Sequence, residues 1–208
     1  FMYILSTSAL KKWIGSTYAG YAGAPVSVLR AIGLAMRRVI SVSLKYALLT
    51  ILAAWLVVET ISAAPHFLSY FNQLGGGTGN GYKYITDSNY DWGQDLLRLK
   101  KFVDGHPEIG KIGVDYFGGG NPKYYLGDKE ENWWSARGNP ADYGIGWLAV
   151  SVNTLQNATQ KLHPGQARRP EDEYQWLSAL RPPKPELGNV PEPDYRAGTS
   201  IFIYKIVE

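Results

Sequence analysis

The sequence predicts an α/β protein: an N-terminal membrane helix with an amphipathic helix before it, then a small α/β extracytoplasmic domain with a mixed, partly parallel sheet. Three observations predict this. An uncharged run, Tyr46 to Val58, follows a stretch with six basic residues and no acid. Pro65 closes that run, and the texture changes to short alternating strands and helices. A strand–helix–strand pattern over Tyr82 to Phe117 implies a parallel pair joined by a right-handed crossover.

The elements follow in chain order. Residues 1–40 read as a cytoplasmic loop and a basic amphipathic helix, with Phe1 to Leu10 as the end of a preceding span. Val28, Leu29, Ile32, Met36 and Val39 recur at helical spacing, while Arg30, Arg37 and Arg38 take another face. Such a helix suits an anionic leaflet before the chain turns into the span. Residues 41–64 are the transmembrane helix. Tyr46 to Ala64 holds one carboxylate, Glu59, near the exit end, where a charge is far less costly than at the bilayer centre. Lys11, Lys12, Arg30, Arg37, Arg38 and Lys45 all precede the run, which places that flank inside. A nucleic-acid partner also suits a basic block, but the interleaved apolar residues favour membrane lipids, and no nucleic acid is expected. Residues 65–81 read as a Gly-rich linker.

Residues 82–208 read as the α/β domain. Tyr82 to Ile85 is a short strand. Trp92, Leu96, Leu99 and Val103 fall on one helical face, which Gly105 and Pro107 end. Ile112 to Phe117 is a strand running into three glycines. Ile145 to Val152 is an apolar, central strand. Tyr174 to Leu180 is a short helix, the proline-rich stretch to Pro193 a rigid loop, and Ser200 to Val207 the last strand. A hydrophobic fraction of 45% excludes a disordered chain. The absence of cysteine excludes disulfides and thiolate metal sites and leaves the compartment open.

The candidate site is Asp87, Ser88, Asn89, Asp91, Gln94 and Asp95, gathered between a strand end and a helix start. Asp91 with Gln94 fits a capping box, and carboxylates in a first turn complement the helix dipole. Ligands of open α/β sheets also bind at the carboxyl ends of strands. Structural capping and a polar ligand site both remain open on these residues. Gly75 to Gly81 lacks the ending of a phosphate-binding loop and reads as a hinge. His66, His106 and His163 stand far apart without carboxylate neighbours, so no metal or cofactor is expected. No nucleophile–base arrangement is present, so no catalytic residue is expected in this chain. Trp147 and Trp176 read as core; Trp133 and Trp134, in a polar loop, read as an exposed platform.

Two strings carry more than composition. SYFNQLGGG followed by DSNYDWGQDL resembles the junction between the last membrane helix and the C-terminal extracytoplasmic domain of bacterial glycosyltransferases that use polyprenyl-phosphate sugars. This is the superfamily of protein O-mannosyltransferases and aminoarabinose transferases. The resemblance continues in Tyr116-Phe117-Gly118, in Pro122-Lys123-Tyr124-Tyr125 and in Ser200 to Tyr204, and so covers Pro65 to the end. It implies transfer of a sugar from a polyprenyl-phosphate carrier to an extracytoplasmic acceptor. The family's catalytic aspartate belongs to an early loop with no counterpart here, and the chain opens on Phe1 without an initiator Met. It therefore reads as the tail of a longer membrane enzyme. The alternative is a membrane-anchored binding or interaction module without catalysis.

Overall fold

The computed structural model describes residues 28–86, 90–162 and 164–207, together with Lys12 and Gly15. The predicted apolar start, Phe1 to Leu10, lies outside the described residues. The chain divides into two compact units, residues 1–60 and 61–208.

Helix α1 runs Val28–Ala63, 36 residues. The predicted amphipathic helix and span are thus one element. No proline lies between them and the single Gly33 is too little to break a helix. At ~1.5 Å per residue α1 is about 54 Å long, well beyond the ~30 Å of a hydrocarbon core. The surplus is its basic first half. The part after Lys45 suits an apolar medium: Thr50 and Thr60 return their hydroxyls to the carbonyls of Tyr46 and Leu56 at 2.9 and 2.8 Å. A hydroxyl satisfied within its own helix needs no water. This is a helix long and apolar enough to cross a membrane.

The second unit is a mixed α/β layer structure. Its strands are β1 (Ile112–Asp115), β2 (Glu130–Asn132), β3 (Trp147–Ser151), β4 (Tyr195–Ala197) and β5 (Ile201–Lys205), in sheet order β2-β1-β3-β5-β4. β1 pairs parallel with β2 and β3; β5 pairs antiparallel with β3 and β4. The helices are α2 (Leu96–Asp104), α3 (Pro122–Leu126), α4 (Val152–Thr159) and α5 (Gln175–Leu180). All five residues of β3 are buried, which makes it the central strand the apolar run predicts. Alternate residues serve opposite faces, as the two-residue strand period requires. Leu148, Val150, Phe202 and Tyr204 pack with Trp133, Leu155, Tyr174 and Leu177. Ala149, Ile201 and Ile203 pack with Ile112, Val114 and the α2 side chains Leu96, Leu99 and Val103.

Three expectations change. Residues 82–85 are no strand: Gly81–Lys83 is a 3-10 turn whose Tyr82 is fully buried. Its carbonyl takes the Gln156 side-chain amide at 2.7 Å rather than a ladder partner. The parallel pairs therefore come from β1–α3–β2 and from β1 with β3. The Gly-rich stretch is folded, not slack. Asn72 and Asn80 close its turns, and Arg196 of β4 donates to the Gly79 carbonyl at 3.1 Å. Trp133 is core: at 1% exposure it lies over Gly113, donates to the Gly138 carbonyl at 3.0 Å and is covered by the Arg137 guanidinium. Trp134 is exposed and Trp147 is buried, as expected.

Candidate functional site

The segment Tyr90 to Leu96 forms a tight turn ahead of α2, not the first turn of a helix. Asp91 Oδ1 accepts from the Gly93 amide at 2.8 Å, and Gln94 Oε1 accepts from the Trp92 amide at 2.8 Å. Gln94 Nε2 reaches back to the Tyr90 carbonyl at 2.9 Å. The reciprocal bonding of a capping box is absent: Asp91 takes the Gly93 amide instead of that of Gln94, and Gln94 takes the Trp92 amide instead of that of Asp91. Gly93 sits at φ +101°, a conformation open to glycine and closed to helix, so α2 starts only at Leu96. Trp92 is consequently exposed instead of lying on the buried helical face.

Asp95 occupies the N-cap position without capping, because its side chain crosses to another segment. Asp95 Oδ2 accepts from the Thr199 amide at 2.8 Å, the Ser200 amide at 2.9 Å and the Ser200 hydroxyl at 2.8 Å. Its Oδ1 accepts from Arg98. The turn that supplies these amides depends on Gly198, at φ +66°. A Cβ there would lie 2.0 Å from Asp95 Oδ1. Asp91 adds two links: Oδ1 accepts from the Tyr116 hydroxyl at 2.8 Å, and Oδ2 lies 2.5 Å from Ser200 Oγ. Gly120 completes the contact, since a Cβ there would meet Leu96 at 2.4 Å. The cluster thus joins the turn before α2, the loop after β1 and the turn between β4 and β5.

Proton counting constrains this cluster. Ser200 Oγ is within hydrogen-bond distance of both Asp91 and Asp95 but carries one hydrogen. Both are full hydrogen bonds only if one carboxyl is protonated; otherwise the one hydrogen is shared between them. Asp95 faces Arg98 and two amides, so a proton shared in this cluster would favour Asp91. Burial pushes the Asp91 carboxyl above the usual range, against the pull of the Ser200, Gly93 and Tyr116 donors. The chain is then Asp91 to Ser200 to Asp95 to Arg98, with every oxygen occupied. The chain matches no protein-family model, no curated protein and no solved structure.

Of the six predicted site residues, Asp91, Gln94 and Asp95 come together, while Asp87, Ser88 and Asn89 lie outside the described residues. Asp91 and Asp95 are buried, and Gln94 is bonded within its own turn. What Asp91 and Asp95 do chemically is latch two segments that are over a hundred residues apart in sequence. Among the described residues, no three His, Asp or Glu side chains gather where a metal ion could sit.

The sequence reading missed a second polar focus, at the carboxyl end of β1. Asp115 Oδ2 accepts from the Tyr174 hydroxyl at 2.6 Å. Burial pushes the Asp115 carboxyl up to about 6, with the Tyr174 hydrogen bond opposing. Tyr174 holds φ +50°, uncommon for a residue with a side chain, and its amide donates to Ser135 Oγ at 2.8 Å. The available signal was an aspartate ending an otherwise apolar strand; nothing in sequence pairs it with a tyrosine fifty-nine residues on.

Proposed function

We propose that this chain is the C-terminal part of an integral-membrane glycosyltransferase, with α1 as a span and the second unit on the extracytoplasmic side. The reaction is transfer of a sugar from a polyprenyl-phosphate carrier. An acceptor group attacks the anomeric carbon, the polyprenyl phosphate leaves, and an aspartate upstream of Phe1 takes the acceptor's proton. The domain described above shapes the acceptor side and does not catalyse by itself.

One observation carries this reading. The strings that resemble the family are distant in sequence, yet Asp91 and Asp95, Tyr116, and Ser200 meet in one cluster. A shared signature is intelligible if it encodes a common way of holding this domain together.

The test is sugar transfer by the full reading frame in membranes supplied with polyprenyl-phosphate sugars and outer-face acceptors. Transfer should vanish when the acidic residue of the early extracytoplasmic loop is neutralised. Asp87→Asn should lower transfer while leaving the thermal unfolding of the domain unchanged. A full reading frame that transfers no sugar from any such carrier sinks the proposal. The second reading, a membrane-anchored interaction module, has one observation in its favour: the Asp91 and Asp95 oxygens are all held internally, leaving none for a substrate.

A further inference from the structure

Between Glu59 and Asp87 the chain has no carboxylate and one lysine, Lys83. The same stretch exposes Phe67, Leu68, Tyr70, Leu74, Tyr84 and Ile85, and Leu74 is 93% exposed. Grouped apolar exposure of this kind marks an interaction surface. Two further features say what it meets.

The first is the backbone of the loop. The Gly75, Gly76 and Gly77 amides bond to Asn72 and Gln73 carbonyls at 3.0–3.1 Å, and the Asn80 and Gly81 amides bond to Gly77 at 3.3 and 3.2 Å. Asn72 Oδ1 and Asn80 Nδ2 take a further amide and carbonyl. A loop that closes its own hydrogen bonds enters a water-poor zone without stranding polar groups. The second is connection. Phe67 follows Ala63, the last residue of α1, by four positions, and Ile61 to Ala63 belong to the same compact unit as the loop. At no more than ~3.6 Å per residue, Phe67 stands within about 14 Å of the helix end.

We infer that residues 67–85 form an interfacial membrane anchor, seating Phe67, Leu68, Tyr70 and Leu74 in the headgroup–acyl boundary of the leaflet where α1 emerges. This rests on reading α1 as a span. Tyrosine and apolar side chains suit that boundary, and the missing carboxylates avoid repulsion from lipid phosphates. The anchor is also tied to the sheet. Ser69 bonds Thr199 across 2.7 Å, and Thr199 precedes β5 where Ile201 pairs with Ser151, at the carboxyl end of β3. That contact lies at the carboxyl edge of the parallel strands, where α/β proteins bind ligands.

The chain lacks cysteine, so single labels are unambiguous. Leu74→Cys, Thr50→Cys and Glu108→Cys, each carrying a polarity-sensitive fluorophore, are compared in the full chain reconstituted into phosphatidylcholine–phosphatidylglycerol vesicles. Glu108 is exposed and lies at the opposite, amino edge of β1. Lipids bearing shallow or deep nitroxide quenchers then report depth. The expected result is loss of Leu74 fluorescence to the shallow quencher, loss of Thr50 fluorescence to the deep one, and no loss at Glu108. Quenching at Thr50 with Leu74 as silent as Glu108 overturns the anchor and leaves the span standing, as does a Leu74 label shielded by protein alone. Equal quenching at Leu74 and Glu108 also overturns the anchor. No quenching at Thr50 overturns the span, and the anchor with it.

Discussion

Asp91 and Asp95 are both buried acids four residues apart, and the structure gives them opposite tolerances. A protonated Asp91 would donate to Ser200 while accepting from Gly93 and Tyr116. An asparagine presents the same donor and acceptors, so Asp91→Asn should change stability by no more than about 1 kcal/mol. Asp95 accepts at both oxygens, from two amides, a hydroxyl and Arg98. An amide nitrogen there faces donors on every side, and Asp95→Asn should destabilise by about 2–4 kcal/mol. Thermal unfolding of the detergent-solubilised chain, followed by tryptophan fluorescence, measures both; equal effects would refute the proton assignment. Asp115 offers a pH test. Its folded value of about 6 lies above the ordinary 3.8, so the folded state holds the proton more tightly. Stability present at low pH is lost as pH rises from about 4 to about 6, by about 1–3 kcal/mol, and is flat beyond. Asp115→Asn keeps an acceptor for Tyr174 and removes the titration. The variant should therefore gain melting temperature over the parent across that window; a pH-independent difference would show that Asp115 does not titrate there.

At the scale of elements, what was legible in the sequence is what local period and composition encode. The long apolar helix, the buried face Leu96, Leu99 and Val103, the central strand β3 and the closing strand β5 all follow from apolar spacing. The strands β2 and β4 were not legible. Their residues, Glu130 to Asn132 and Tyr195 to Ala197, are short and largely polar edge positions, stabilised by pairing with neighbours that sequence cannot name. Residues 82–85 erred the other way: a β-like composition was overridden by burial of Tyr82 against Phe202. The capping box did not form: Asp91 and Gln94 bond the amides of Gly93 and Trp92, and a backbone angle at Gly93 delays α2 to Leu96. Trp133 misled because its polar neighbours are its cover, Arg137 lying over the ring and bonded to Glu131. Of the candidate site, the proximity of Asp91, Gln94 and Asp95 was legible from spacing. Ser200, Tyr116 and Asp115 were not, since only the sheet brings them in.

For the whole molecule, charge sets the direction in which α1 would cross a membrane. Six lysines and arginines precede the uncharged run, and no acid offsets them before Glu59. Between Thr60 and Thr86 there is one lysine. Basic flanks stay on the cytoplasmic side because anionic lipids and the membrane potential both oppose their transfer. The second unit should then stand outside. Its surface does not argue for either side, having both signs of charge, so the prediction rests on the flank alone. Asp128 is an exposed residue on the loop before β2, and Lys12 belongs to the basic flank. With no native cysteine, Asp128→Cys and Lys12→Cys give unambiguous reports in intact cells. A membrane-impermeant maleimide should label Asp128→Cys directly and Lys12→Cys only after permeabilisation. The reverse pattern would place the domain inside, remove it from any extracytoplasmic acceptor and end the proposed role. Labelling of both without permeabilisation would mean that α1 lies along the membrane instead of crossing it, and the apolar run would then be an interfacial helix whose exposed side chains face lipid on one side only.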